Sequence, residues 1–175
     1  MFYRNIKEPL SQHERQAVVC HRLFLENGLE HLVPFQHPDI DKWRDSLHHG
    51  LITRFSDSNI ILTGGVDDIW QNTKNGKLVV ADYKSQANAK ELEPVSYLSD
   101  PYKEGYKVQM DFYAYLLQQM GFDVEETAYF LVCNADRGAN GFKGEMKFQE
   151  TLIPYRWNSS WIHEKVTEMI YLLND

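Results

Sequence analysis

The feature that most constrains the fold is an apolar segment that ends in two charged residues. Residues 79–84 read VVADYK and closely follow an Asn-Gly pair at 75–76, which is the strongest short signal for a tight β-hairpin. The sequence therefore predicts a strand over 77–84 that pairs antiparallel with the strand before it. Because side chains alternate along a strand, Asp82 and Lys84 share one face, and we expect them at the rim of the sheet, where this strand ends.

A second acidic residue precedes the hairpin. Asp67 follows a Gly-Gly pair near the end of a predicted strand over 60–70, and antiparallel pairing brings it towards Asp82. Two carboxylates with a lysine beside them suit a hard cation with a bound water. From the Asp-x-Lys spacing alone, a surface ion pair at a strand end is the alternative. Asp68 competes with Asp67 for the same role, but alternation places it on the opposite face.

Helical periodicity and turn residues organise the rest of the chain. Ser11 precedes Glu14 by three residues, a capping-box pattern that begins the first helix. The predicted helices cover 11–32, 38–49, 104–120 and 157–173, and the predicted strands cover 51–55, 60–70, 77–84, 127–133 and 147–153. The polar segment 85–103 is interpreted as a long loop with room for a short helical piece. The order is α-β-β-β-α-β after one extra early helix, in one domain spanning 1–175. We expect the strands from 51 to 133 to form one mixed sheet between the first helix and the 104–120 helix.

Composition limits the classes of function. No apolar run approaches the roughly 20 residues of a membrane helix, and residues 1–16 lack an apolar leader, so we expect a cytoplasmic protein without a membrane partner. The net charge of −7 argues against a dedicated nucleic-acid binder, although a local basic patch and a bound metal can supply a positive field. The two cysteines, Cys20 and Cys133, are too few for a disulfide framework or a zinc site.

The 104–120 helix carries a polar residue where a core residue would be expected. Gln109 and Tyr113 are four residues apart and therefore stack on one helical face, which Leu116 and Met120 continue. A plain core-facing stripe is one interpretation. A glutamine at the start of that stripe is better suited to holding the substrate backbone or a neighbouring site residue.

Three segments together resemble the PD-(D/E)xK nuclease superfamily, and within it the RecB-like exonuclease branch. They are TGGVDDIW at 63–70, KLVVADYKS at 77–85 and VQMDFYAYLL at 108–117. The resemblance implies a restriction-endonuclease-like α/β fold with an αβββαβ core, in which helices flank a central mixed sheet. That order agrees with the order of elements predicted above from the residues themselves.

The resemblance also implies roles for individual residues. Asp67 and Asp82 would be catalytic and would bind Mg²⁺ or Mn²⁺, with the backbone carbonyl of Tyr83 as a third ligand. Lys84 would orient or help to deprotonate the attacking water and would stabilise charge on the phosphate. The remaining pair, Gln109 and Tyr113, matches the Gln-x-x-x-Tyr motif of the family and is predicted to bind substrate.

One further ligand in this family comes from an upstream helix as a Glu or His, and the sequence leaves its identity open. The candidates are Glu26 and Glu30 on the first helix and His48 before the first strand. Some relatives add an iron–sulfur cluster held by four cysteines. Since this chain has only two, we expect no such cluster within it.

The resulting expectation is a metal-dependent nuclease that hydrolyses DNA phosphodiester bonds. The resemblance favours an exonuclease-like activity on ends or single strands, with a protein partner as a further possibility. One alternative is a catalytically silent nuclease-fold module that binds nucleic acid or a protein. Another is an unrelated α/β domain in which Asp67, Asp82 and Lys84 are structural.

Overall fold

A computed structural model describes residues 20–138, 144 and 146–174 of the chain. The first part of the predicted 11–32 helix therefore lies outside the described residues, and the helix named α1 below is described over 20–26. In chain order the other elements are β1 (Leu32–Pro34), α2 (Ile40–Arg44), β2 (Leu51–Arg54), β3 (Ile61–Gly64), β4 (Asp68–Asn72), β5 (Leu78–Asn88), α3 (Pro94–Ser99), a 3₁₀ turn (Pro101–Lys103), α4 (Glu104–Gln119), β6 (Thr127–Asp136), β7 (Phe148–Arg156) and α5 (Ile162–Asn174).

The central sheet has five strands in the order β1-β4-β5-β6-β7. β4 and β5 form the antiparallel hairpin predicted from the Asn-Gly pair, and Gly76 adopts a φ of 78° in its turn. β5 and β6 run parallel and are connected through α4, as a parallel pair requires a crossover. The predicted fold class, a mixed sheet flanked by helices, is confirmed.

Each face of the sheet has its own apolar cluster. On one face, Val80 of β5 packs with Met110 of α4 and Phe130 of β6. On the other, Val79 and Ala81 pack in a cluster that includes residues of α1 and Trp70 of β4. The alternation predicted along β5 is therefore confirmed, and it places the side chain of Asp82 on the α4 side.

The prediction that one sheet contains all the strands was wrong. β2 pairs with β3 in a separate two-stranded sheet, because the predicted 60–70 strand is interrupted between Gly64 and Asp68. At Gly65 an added Cβ would lie 2.3 Å from the Cβ of Ser46, so the backbone passes against the preceding loop. The next residue, Val66, donates its N–H to the carbonyl of Trp43 at 3.1 Å. The predicted 60–70 strand is therefore two short strands, β3 and β4, separated by a turn that is hydrogen-bonded to α2.

The predicted end of the third strand was also wrong. β5 continues to Asn88, and β6 pairs with it from Ala81 to Asn88. β4 pairs with it only as far as Ala81. Asp82 and Lys84 therefore lie within β5, at the point where its neighbour on one side stops, and not at its terminus.

Several other boundaries differ from those predicted. The 85–103 segment contains the end of β5, which was not expected there, together with the 3₁₀ turn and α3, a short helical piece of the kind expected in this loop. The predicted 38–49 helix is reduced to α2, because the N–H of Gly50 turns back to the carbonyl of Lys42 at 2.9 Å. Gly28, with a φ of 70°, follows the end of α1 before residue 32. Among the described residues, no helix is long and apolar enough to cross a bilayer.

Candidate active site

The site lies where β4 separates from β5. Beyond Ala81 one edge of β5 no longer pairs with β4, and the backbone N–H of Tyr83 faces that edge. This N–H donates to Oδ2 of Asp67 at 2.8 Å. The bond ties the turn before β4 to β5 and brings the Asp67 carboxylate next to Asp82.

Asp82 is buried without adequate compensation of its charge. Its side chain is 0% exposed, and neither carboxylate oxygen accepts a hydrogen bond of normal geometry from the described residues. Its ionic partner is Lys84, whose Nζ lies 2.5 Å from Oδ2. The pKa of Asp82 is raised to about 6, mainly by burial; Lys84 opposes the rise and the nearby Asp67 carboxyl adds to it. Two neighbouring carboxylates and a single lysine leave a local deficit of positive charge.

Lys84 is held in place by α4. Its Nζ donates to Oε1 of Gln109 at 3.0 Å and lies 4.7 Å from the centroid of the Tyr106 ring. At its other end, the amide of Gln109 donates from Nε2 to the hydroxyl of Tyr113 at 2.6 Å. These three α4 residues recur at helical spacing and so share one face. The ammonium group is thereby held between Asp82 and this face.

The Gly-Gly pair before Asp67 permits close contact between the turn and α4. A Cβ added at Gly64 would lie 3.0 Å from Cε1 of Tyr113, so a side chain there would force the ring to shift by a few tenths of an ångström. Tyr113 is itself buried, and its hydroxyl fixes Gln109. The same ring therefore limits the path of the chain towards Asp67 and orients the partner of Lys84.

Asp68 points away from this site and is fully engaged on the other face of the sheet. It is 3% exposed and accepts hydrogen bonds from the hydroxyl of Tyr83 at 2.6 Å, from Nε1 of Trp70 at 3.1 Å and from the N–H of Ile69 at 2.9 Å. Arg44 forms an ion pair with the same carboxylate. Asp67, and not Asp68, lies beside Asp82.

The family of the chain follows from its match to a family model. The family model of the PD-(D/E)XK nuclease superfamily matches residues 5–170. The chain belongs to this superfamily. No curated protein matches the chain significantly. Membership supports a nuclease, a hydrolase of phosphodiester bonds, and implies a nucleic-acid substrate.

PD-(D/E)XK nucleases generally use divalent metals such as Mg²⁺, and the residues at this site fit such an ion. Neither buried oxygen of Asp82 accepts a hydrogen bond of normal geometry within the part of the chain that the structure describes, and Asp67 lies beside it. The N–H and C=O of one strand residue point towards the same edge, so the carbonyl of Tyr83 is expected on the Asp67 side. Two carboxylates and a carbonyl are the oxygen ligands that hard cations prefer.

The upstream ligand expected in this superfamily is not evident among the described residues. There, no group of three or more His, Cys, Asp and Glu side chains converges on a point. Glu26 lies 3.8 Å from Arg22 on an exposed face of α1, and Glu30 is also exposed. His48 lies 3.1 Å from the carboxylate of Asp45. The structure brings none of these three candidates to the pair, and the choice among them stays a prediction.

Sequence reasoning missed three residues beside the site. They are Tyr97, Lys103 and Tyr106. The Tyr106 ring contacts Nζ of Lys84. Nζ of Lys103 lies 5.2 Å from the centroid of the Tyr106 ring and 5.0 Å from that of the Tyr97 ring. One signal was available, because Tyr106 precedes Gln109 by three residues and must share its helical face. Tyr97 and Lys103 lie in the segment that was interpreted as a loop. Helical spacing could not have placed them.

Proposed function

We propose that the protein is a metal-dependent nuclease that hydrolyses DNA phosphodiester bonds, with an exonuclease-like activity of the RecB-like type. The observation that carries the proposal is the position of Asp67 and Asp82 around the end of the β4 pairing, with Lys84 in ion-pair contact with Asp82. Burying Asp82 next to a second carboxylate, with one lysine as its ionic partner, is costly unless a cation completes the site. Superfamily membership supplies the reaction class.

Asp67, Asp82 and the carbonyl of Tyr83 would hold Mg²⁺ or Mn²⁺. Bound there, the ion supplies a coordinated water of lowered pKa and neutralises charge on the scissile phosphate. Asp67 is exposed and Asp82 is buried, so the pair spans the boundary between solvent and core. A phosphodiester can therefore approach from the Asp67 side while Asp82 stays fixed by its surroundings.

Lys84 would act on the water and on the phosphate. An ammonium group can orient the attacking water, and it can stabilise the negative charge that develops on the phosphate oxygens. Its bonds to Gln109 and its contact with Tyr106 fix its position before substrate binds, which is the condition for efficient electrostatic stabilisation. Gln109 is proposed to contact substrate only secondarily, since both ends of its amide already have partners.

The choice of DNA, and of ends or single strands, follows from the resemblance of 63–70, 77–85 and 108–117 to the RecB-like branch. The net charge of −7 makes broad electrostatic attraction to a duplex weak. Binding would then depend on a few local cations and on the metal, or on a protein partner that delivers the substrate. Those conditions suit a single strand threaded past one site better than a long duplex footprint.

The test is a cleavage panel with purified protein. Labelled single- and double-stranded DNA and RNA are incubated with Mg²⁺, Mn²⁺ or EDTA, and products are resolved by length. We expect DNA cleavage with either metal and none in EDTA, with shortening from an end. Metal-dependent cleavage of RNA alone would overturn the substrate assignment, and internal products alone would overturn the exonuclease assignment. No cleavage of any substrate would contradict the nuclease itself.

A further inference from the structure

Lys103 lies beside the reaction centre with its ammonium group against two aromatic rings. Its Nζ lies 5.0 Å from the centroid of the Tyr97 ring and 5.2 Å from that of Tyr106. In the part of the chain that the structure describes, no carboxylate is within ion-pair distance of it, whereas Lys107 on the next turn is paired with Glu104 at 2.5 Å. Aromatic faces hold the ammonium group but do not neutralise it. The half-buried charge is thus positioned for an external anion.

Tyr106 connects this charge to the catalytic lysine. Lys84 Nζ lies 4.7 Å from the same ring centroid, so the two ammonium groups are no further apart than the two ring distances combined. Phosphates recur about every 3.4 Å of helix axis along one strand of a nucleic acid. When Lys84 engages the scissile phosphate, a neighbouring phosphate of the same strand is therefore within reach of Lys103.

A cavity of about 420 Å³ adjoins Lys103. Tyr97 and Lys103 line it, together with the amide side chains of Gln86 and Asn88 and the hydroxyl of Ser96. Its volume falls in the range of about 300–1,000 Å³ that is common for small-ligand pockets. The amides come from the part of β5 that extends beyond the catalytic residues, so the cavity continues the site along the same strand.

We propose that Lys103 and this cavity form a subsite for the nucleotide that flanks the scissile phosphodiester of a nucleic-acid strand. The proposal rests on the proposed function, because it identifies the second phosphate that the nuclease contacts. Lys103 binds the flanking phosphate, while the amides of Gln86 and Asn88 bind the sugar or base. The site is thereby matched to a polynucleotide and not to an isolated phosphodiester.

Acidic residues in the same cavity restrict where the phosphate can lie. Glu91, Glu93 and Asp100 also line it. Asp100 already accepts the N–H of Tyr102 at 3.0 Å, and Glu91 accepts Nε2 of Gln149 at 3.1 Å. Lys90 lines the cavity as well, but Lys103 shares the Tyr106 ring with Lys84 and is therefore the cation next to the reaction centre. The carboxylates repel a second anion, so the rest of the cavity suits an uncharged sugar or base.

The experiment measures binding without requiring cleavage. Fluorescence anisotropy of a labelled single-stranded 12-mer is recorded in EDTA at low salt, for the wild type, Lys103→Gln, Lys103→Arg and the control Lys74→Gln. Lys74 is exposed in the turn at the far end of the β4–β5 hairpin. We expect Lys103→Gln to weaken binding about 5- to 10-fold and to reduce the salt slope by about one, as for the loss of one phosphate contact. Lys103→Arg should retain binding.

Short competitors locate the contact. A dinucleoside monophosphate has one phosphodiester, and a trinucleoside diphosphate has two. Lys103→Gln should weaken competition by the trinucleoside diphosphate and leave competition by the dinucleoside monophosphate unchanged. If Lys103→Gln lost affinity equally for both competitors, the flanking position of the contact would be overturned. If Lys103→Gln bound the 12-mer as Lys74→Gln does, or if the wild type did not bind it, the subsite itself would be overturned. If the wild type binds with this pattern but cleaves nothing with metal, the proposed nuclease function fails and the subsite stands.

Discussion

Two buried aspartates on opposite faces of the sheet have opposite surroundings. Asp68, on the α1 side, accepts three hydrogen bonds from the protein and pairs with Arg44. Asp82, on the α4 side, has Lys84 as its ionic partner and a second carboxylate, Asp67, as its neighbour. The first carboxylate is saturated by the fold. The second is left with a requirement for positive charge that the described residues do not meet.

A third buried carboxylate, Asp111, has its hydrogen bonds satisfied as Asp68 does. Asp111 of α4 accepts hydrogen bonds from the hydroxyl of Tyr155, the N–H of Asn158 and Nε1 of Trp161, each at 2.9 Å. Native proteins satisfy nearly all of their buried polar groups. A buried acid that departs from this rule, with a raised pKa and a specific charge partner, is characteristic of a functional site. The contrast separates Asp82 from Asp68 more sharply than their sequence motifs do.

The largest expected effect on stability is at Asp68. The change Asp68→Asn leaves Arg44 beside a neutral amide, and breaking a buried ion pair from one side costs about 3–5 kcal/mol. Urea denaturation should show this loss, with Asp57→Asn in the exposed β2–β3 turn as the control. An unfolding free energy equal to that of the control would contradict the structural assignment of Asp68.

The largest expected effect on activity is at Asp82. Asp82→Asn and Lys84→Ala should each reduce metal-dependent cleavage by at least ~100-fold, the cost of losing a charge-stabilising or acid–base group. The asparagine variant is preferred because Asp82 is 0% exposed and a truncation would leave a cavity. Initial rates on the best substrate of the panel measure the effect. Cleavage that persists in both variants would assign the activity to another site or to a contaminant.

The same substitution at Asp82 should make the metal-free protein more stable. Its pKa of about 6 exceeds the unfolded value near 3.9, so folding favours the protonated form, and the wild type loses stability as pH rises from about 4 through 6. Asp82→Asn should therefore be about 3 kcal/mol more stable than the wild type at pH 8. At pH 4 the gain should largely vanish. Denaturation of both proteins in EDTA at the two pH values checks the sign, and a loss of stability at pH 8 would contradict it.

The sequence predicted the parts of this contrast that depend on local chain geometry. The Asn-Gly turn determined the β4–β5 pairing, and alternation placed Asp82 and Lys84 on one face. It also placed Asp68 on the other. Those features follow from a period of two and a known turn type.

The wrong strand boundaries arose where contacts between distant parts of the chain determine the structure. Gly65 passes against Ser46, and this contact interrupts the predicted 60–70 strand, but Gly-Gly in an apolar run does not reveal its neighbour. The continuation of β5 to Asn88 depends on its pairing with β6, which lies more than forty residues further along the chain. Asp82 is buried because β6 pairs with β5 and α4 covers this face of the sheet. The sequence does not reveal this burial, since an aspartate is exposed at most positions.

A smaller effect is expected from the residues that position Lys84. Tyr113→Phe removes the hydroxyl that accepts from Gln109, and Gln109→Ala removes the acceptor of Lys84. Loss of supporting contacts of this kind costs roughly 10- to 100-fold around a metal site, and we expect about 10-fold in the maximal rate with little change in the Michaelis constant. A change confined to the Michaelis constant would show instead that Gln109 binds substrate, as the Gln-x-x-x-Tyr motif predicts.

Binding of a divalent cation to the Asp67–Asp82 pair is tested most directly by calorimetric titration of Mn²⁺ at pH 8. The wild type and the Asp57→Asn control should bind with equal affinity, and Asp68→Asn should bind similarly where it remains folded. Asp82→Asn should lose binding, because it removes the buried anionic ligand. Binding to the wild type should also weaken below pH 6 as Asp82 takes up a proton. Unchanged Mn²⁺ affinity in Asp82→Asn would contradict the assignment of the metal to this pair.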